Sequence, residues 1–147
     1  MPDSDNSLSY REISLLRDKH RALEMKEHRL KLAIAGFLAY SAITHILAAA
    51  LNFSESPIDS WLAVIWAALF VLGFYRVWIK DDSNWWPVLV PSGTVIIFSL
   101  LLMLSGVFVI LPILLHSFAL LLVFLRKRAI AAVANSSFKR TAAPKHG

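Results

Sequence analysis

His45 and His116 are the residues of this chain whose type and surroundings best suit chemistry, because each interrupts a long apolar run. An ionisable side chain inside such a run marks a functional position by default. Two imidazoles have three uses there: holding a haem iron from opposite faces, relaying a proton, or bonding to neighbouring helices. At helical spacing Ser41, Thr44 and His45 share one face with Tyr40 at its edge, and Ser117 adjoins His116. Tyr40, Ser41, Thr44, His45, His116 and Ser117 are therefore the expected polar binding cluster. Counted from the charged ends of their runs, His45 lies about twelve residues deep and His116 about nine, so their levels differ by roughly one helical turn. Polar packing against hydroxyls and carbonyls of neighbouring helices is the favoured reading, with no cofactor. Haem b, or a quinone site, is the alternative that the histidine pair offers.

Other chemistries lack their parts. The chain has no cysteine, which removes disulfides, thiolate catalysis, iron–sulfur clusters and c-type haem attachment. A metal site needs three or four ligands. No carboxylate or thiol lies inside an apolar run to join the histidines, so no metal is expected, and a proton relay would want an acid at that depth. Asp81 and Asp82 are adjacent carboxylates beside Lys80 and read as a solvated turn. Glycine is scarce and builds no phosphate-cradling loop. The serines of the apolar runs belong to no nucleophile-elbow motif. A non-enzymatic protein is expected.

The elements that must position the cluster read as membrane helices. The chain of 147 residues is 57% hydrophobic with a mean hydropathy of +0.60. Its apolar residues fall in continuous runs, the pattern of bilayer-crossing helices and not of a barrel's alternating strands. The first run, 33–53, carries no formal charge and begins only after about thirty polar residues, so it reads as an uncleaved anchor. A loop follows, in which Ser56 fits an N-cap, Pro57 the first helical position and Asp59 the first turn. The second run, 58–79, closes with Arg76 and Lys80. Ser83 or Asn84 can then cap a new helix. Residues 87–125 again hold no formal charge, and as one helix they would reach about 60 Å, twice the hydrocarbon core. Ser105-Gly106 is the expected break, and Pro112 is expected to kink the last span.

The expected fold class is thus all-α and integral to the membrane: a four-transmembrane-helix bundle with spans of about 33–53, 58–79, 86–104 and 107–125 inside a membrane domain of 32–128. A charged N-terminal helix (1–31) precedes it and a basic tail (129–147) follows. Ala35, Ala39, Ala42 and Ala49 line one face of the first span, and Ser92, Ser99 and Gly106 recur every seventh residue in the third. Small-residue faces let membrane helices approach closely, so the first span is expected to be the most enclosed. Leu16, Leu23 and Leu30 also recur every seventh residue. That is too few heptads for a coiled coil, so the N-terminal helix is expected to be solvated, its thin apolar stripe lying on lipid head groups. Residues 1–7 are expected to fray and the end of the tail to be disordered.

Charge orients the bundle. All 15 Lys and Arg fall before the first span, at the end of the second, or after the fourth, whereas the loop between the first two spans carries only Glu55 and Asp59. This asymmetry implies that both termini are cytoplasmic, and a bacterial inner membrane is the expected location. Arg126, Lys127, Arg128, Lys139 and Arg140 are expected at the anionic lipid surface, and membrane lipid is a nearer anion for them than nucleic acid. The expected role is accessory: a complex subunit, assembly factor or immunity-type protein whose partner is another membrane protein or a second copy of itself. An oligomeric channel or transporter component comes second, and a haem- or quinone-binding subunit third.

Overall fold

The structure is a computed structural model that describes residues 10–107 and 109–136. No proline interrupts the charged arm or the first apolar run, and together they form one helix, α1 (Tyr10–Asn52). Its 43 residues extend about 65 Å, with no break near residue 32. Three further helices follow: α2 (Pro57–Phe74), which runs on through a π turn (Tyr75–Ile79), α3 (Trp86–Leu104) and α4 (Ile110–Ala134). All four are long and apolar enough to cross a membrane, and no strand occurs among the described residues. The expectations for residues 1–7, for Lys139 and Arg140 and for the end of the tail lie outside the described residues.

Each helix packs against its neighbour in sequence and α4 returns to α1, which closes a ring of four. The short connections make this an up-down-up-down bundle. One end carries the loop of residues 80–85 and the charged extensions of α1 and α4, and the opposite end carries the loop 53–56 and the turn at Ser105-Gly106. Small residues make up about half of the interior, among them Ala35, Ala42 and Ala49 on α1, Ser60, Ala63, Ala67 and Gly73 on α2, Ser92 and Ser99 on α3, and Ala119 and Ala129 on α4, and they pack around a core of Ile34, Leu38, Phe70, Val77 and Val88. Large side chains such as Ile46, Leu51, Trp61, Ile97, Leu114 and Phe118 face outward. A soluble bundle distributes size the other way. Small residues inside shorten the distance between helix axes, and large apolar residues outside suit a hydrocarbon solvent.

Several local expectations are revised. Ser56 precedes α2 with extended backbone, but its hydroxyl donates to Asp59 Oδ2 (2.6 Å) and caps no backbone N–H. Neither Ser83 nor Asn84 caps α3. Asp82 accepts from the Asn84 N–H (2.9 Å), which holds a turn there, and the helix starts after Trp85. Pro112 kinks nothing, because α4 begins at Ile110 and puts it in the first turn, where no helical N–H is missed. The break at Ser105-Gly106 is present, with Gly106 at φ +91°. Gly106 therefore serves the turn and not a packing face; a Cβ there would touch nothing. Pro91 lies inside α3, so the Pro87 carbonyl lacks its helical donor. Gly73 of α2 comes against that carbonyl, so closely that a side chain there would overlap it.

The largest departure is at the charged end. The fourth helix does not stop at the expected 125 but continues to Ala134. The leucine stripe of α1 lies along this extension: Leu16, His20 and Leu23 line one crevice with Ala132, Asn135 and Ser136. His20 Nδ1 meets Ser136 Oγ at 2.6 Å. The arm's apolar stripe thus has an intramolecular partner, which the expected solvated arm lacked.

Candidate functional site

The helix ring leaves a cavity of about 330 Å³ between its members, toward the end that carries the Ser105-Gly106 turn. All four helices line it. α1 contributes Phe37, Tyr40, Ser41, Thr44 and His45, and α4 contributes His116. The spacing of the α1 residues explains this, since positions i, i+3, i+4, i+7 and i+8 from Phe37 lie on one helical face. The structure therefore brings His45 and His116 to one cavity, with Ser99 of α3 beside them. Ser117 is exposed and does not line it.

His45 is fixed by its own helix. Its Nδ1 lies 2.7 Å from the Ser41 carbonyl, which also accepts from the Thr44 hydroxyl (2.9 Å). A carbonyl can only accept, so Nδ1 carries a proton, and in the neutral ring Nε2 is left as an acceptor. The ring stacks edge-on to Trp66 (5.6 Å between centroids) and leans on Phe70 (5.3 Å, 35°). His116 leans on the same Phe70 (5.5 Å, 34°) and meets Phe37 edge-on (5.1 Å). Phe70, fully buried, is thus shared by both imidazoles. His116 is only 6% exposed, and its Nδ1 has no hydrogen-bond partner. A buried ring nitrogen without a partner is unusual and unfavourable.

Nothing in the spacing of Phe37, Trp66 and Phe70 marks them in the sequence as neighbours of the histidines. The clue available is that α2 alternates small residues (Ser60, Ala63, Ala67) with these aromatics at helical spacing, which defines an inward face. Among the other small residues, Ala35, Ala42 and Ala49 are buried and Ala39 partly so, and Ser92 and Ser99 are buried. Ser92 Oγ has no partner.

A second cluster sits at the charged end. Arg126 was expected at a lipid surface, yet it is buried. Its Nε donates to Glu27 Oε1 (2.8 Å), Nη2 to Asp81 Oδ1 (3.0 Å) and Nη1 to the Asp82 carbonyl (3.1 Å). Lys31 Nζ shares Asp81 Oδ1 at 2.7 Å. Asp81 reaches both cations from a left-handed backbone (φ +50°), which aspartate tolerates better than most residues. The Lys31 hydrogen bond, with help from Arg126, holds the Asp81 carboxyl below its ordinary 3.8. Asp81 and Asp82 are therefore not merely a solvated turn; they tie the loop to α1 and α4. The pairing has a sequence signal: in an antiparallel ring the last charges before the first span, those of the middle loop and the first after the last span meet at one level. Lys127 and Arg128 remain exposed and lie over Trp85 (5.8 Å) and Phe124 (4.7 Å). Lys31 and Arg76 lie similarly over Trp78 and Trp86.

No three His, Cys, Asp or Glu side chains converge as metal ligands among the described residues. No protein-family model matches the chain, and neither a curated protein nor a solved structure resembles it closely enough to match.

Proposed function

We propose that this chain is a four-span integral membrane protein of a bacterial inner membrane, with both termini cytoplasmic, that acts without enzymatic chemistry as an accessory or interaction subunit. Small residues inside the ring and large apolar residues outside support insertion in a bilayer. The basic residues at one end, several of them over Trp and Tyr rings, support a cytoplasmic, head-group level for that end. Lipid is then one partner, and the other is a membrane protein or a second copy.

The observation that carries the accessory role is the start of α1. Tyr10, Ile13 and Leu15 lie on the charged extension of α1, a helix continuous with the first span. Tyr10 is 89% exposed and Leu15 62%. Apolar side chains on a rigid arm outside the membrane suit helix-in-groove recognition by a partner.

The absence of cysteine makes the topology directly testable. Single cysteines at Glu55 and Asn135 should label from opposite sides of the membrane. Mild-detergent extraction of the full chain should then retain a stoichiometric partner or oligomer, and substituting Tyr10, Ile13 and Leu15 by serine should release it. A wild-type chain that runs as a lone monomer refutes the accessory role.

The alternatives have less support. An aqueous channel would want a polar path, and the cavity lining is mostly aromatic and aliphatic. Haem b would need both imidazoles directed at one iron. Here both rings lean on Phe70, and a cavity at the lower end of the ligand-pocket range suits a smaller molecule than a macrocycle.

A further inference from the structure

The cavity that holds both histidines has the character of a ligand site, and we infer that it binds a single uncharged ring of the quinone or quinol class. Its volume, about 330 Å³, matches a small ring with its substituents. Phe37, Trp66 and Phe98 supply flat apolar walls; Trp66 and Phe98 already stack edge-on at 5.1 Å. The polar groups are few and convergent, as ligand sites require.

Their hydrogen-bond capacity selects the class. His45 offers an acceptor, Nε2, because Nδ1 is committed to the Ser41 carbonyl. His116 is more than nine-tenths buried and lines the cavity; its Nδ1 is unpartnered and closed off, so Nε2 is the ring nitrogen that a ligand in the cavity can reach. Its tautomer is free to follow the ligand, so it donates to a carbonyl or accepts from a hydroxyl. A quinol hydroxyl bonds to His45 and its second oxygen to His116; a quinone carbonyl takes the proton of His116. An acyl chain would leave both nitrogens unsatisfied. A charged head group would meet no formal charge in the lining. Tyr40, Phe98 and Leu115 line the cavity and are exposed on the outer surface of the ring. A hydrophobic ring compound dissolved in the bilayer therefore enters from the side. The inference concerns binding alone and is independent of the accessory role.

The full-length protein in lipid nanodiscs, with radiolabelled ubiquinone-1 as probe, provides the test. Retention on protein-bearing discs should exceed that on empty discs and saturate near one probe per chain. His116→Leu should weaken binding of this quinone about tenfold or more, and His45→Leu should do the same to the reduced, quinol form of the probe, whose hydroxyl it accepts, while His116→Asn, which keeps a donor and an acceptor, should retain part of the quinone binding. Phe118→Leu, outside the cavity, should leave it unchanged. Helical circular dichroism and thermal melting of each variant in discs separate lost binding from lost folding. Three results overturn the inference: retention no greater than in empty discs, saturable binding indifferent to both histidine substitutions in folded protein, or a co-purifying phospholipid that the probe does not displace.

Discussion

Replacing Arg126 with alanine removes one side chain and breaks three connections: α4 to α1 through Glu27, and α4 to the loop through Asp81 and the Asp82 carbonyl. The three are not equal. The side chains of Arg126 and Glu27 are 6% and 24% exposed, so this bond is shielded from water. A charged hydrogen bond in such a setting contributes about 1.5–3 kcal/mol. Asp81 is 68% exposed, and solvent screening reduces its pair to at most about 1 kcal/mol. The Asp82 carbonyl adds about 1 kcal/mol. Arg126→Ala should therefore cost about 3 kcal/mol, with the greater part on Glu27. Arg126→Lys keeps the charge but not the fork that reaches three acceptors, and should recover less than half. The measurement is reversible unfolding in mixed detergent micelles, followed by helical circular dichroism. A double-mutant cycle with Glu27→Ala should give a coupling of about 1.5 kcal/mol. Replacing both residues by leucine should cost much less than Arg126→Ala alone, because an apolar pair leaves no charge uncompensated. A coupling below about 0.5 kcal/mol, or an Arg126→Ala protein within about 1 kcal/mol of wild type, would refute the view that this cluster locks the charged end.

Three further outcomes follow from other contacts. Gly73→Ala should destabilise by about 1–3 kcal/mol in the same unfolding assay, because the new methyl group meets the Pro87 carbonyl, whereas Gly36→Ala, with open space around it, should be neutral or slightly stabilising. Gly106→Ala should cost about 1–2 kcal/mol, since its φ of +91° strains any side chain. Asp81 has a lowered carboxyl pKa, so its contribution is fully present above the ordinary 3.8 and is lost as pH falls through the folded value beneath it. A titration of the unfolding midpoint from pH 6 to pH 3 should show this loss, less than about 1 kcal/mol for so exposed a group, and Asp81→Asn should abolish it.

The revisions share a cause. Helix ends are set by which donors and acceptors find partners, and those partners are often remote. Asp82, not Ser83 or Asn84, sets the approach to α3 because its carboxylate takes the Asn84 N–H. Arg126 is buried on the fourth helix because Glu27, 99 positions away, pairs with it. Without that pairing, a guanidinium following an apolar run reads as a membrane-surface residue. Pro112 loses its expected kink through a shift of a few residues in where α4 starts.

Sequence alone determined the number of long apolar helices, the break at Ser105-Gly106, the enclosed alanine face of α1, and the two histidines as the residues to follow. Each rests on local composition or on the helical period, which any one segment carries by itself. Tertiary structure alone decided that His45 and His116 share a cavity and a phenylalanine, that Ser117 stands outside it, and that Arg126 lies in an ion cluster. Those facts depend on the rotation of each helix about its axis and on the order of helices around the ring. Both are fixed by how small and large side chains fit between helices, information that no single helix contains.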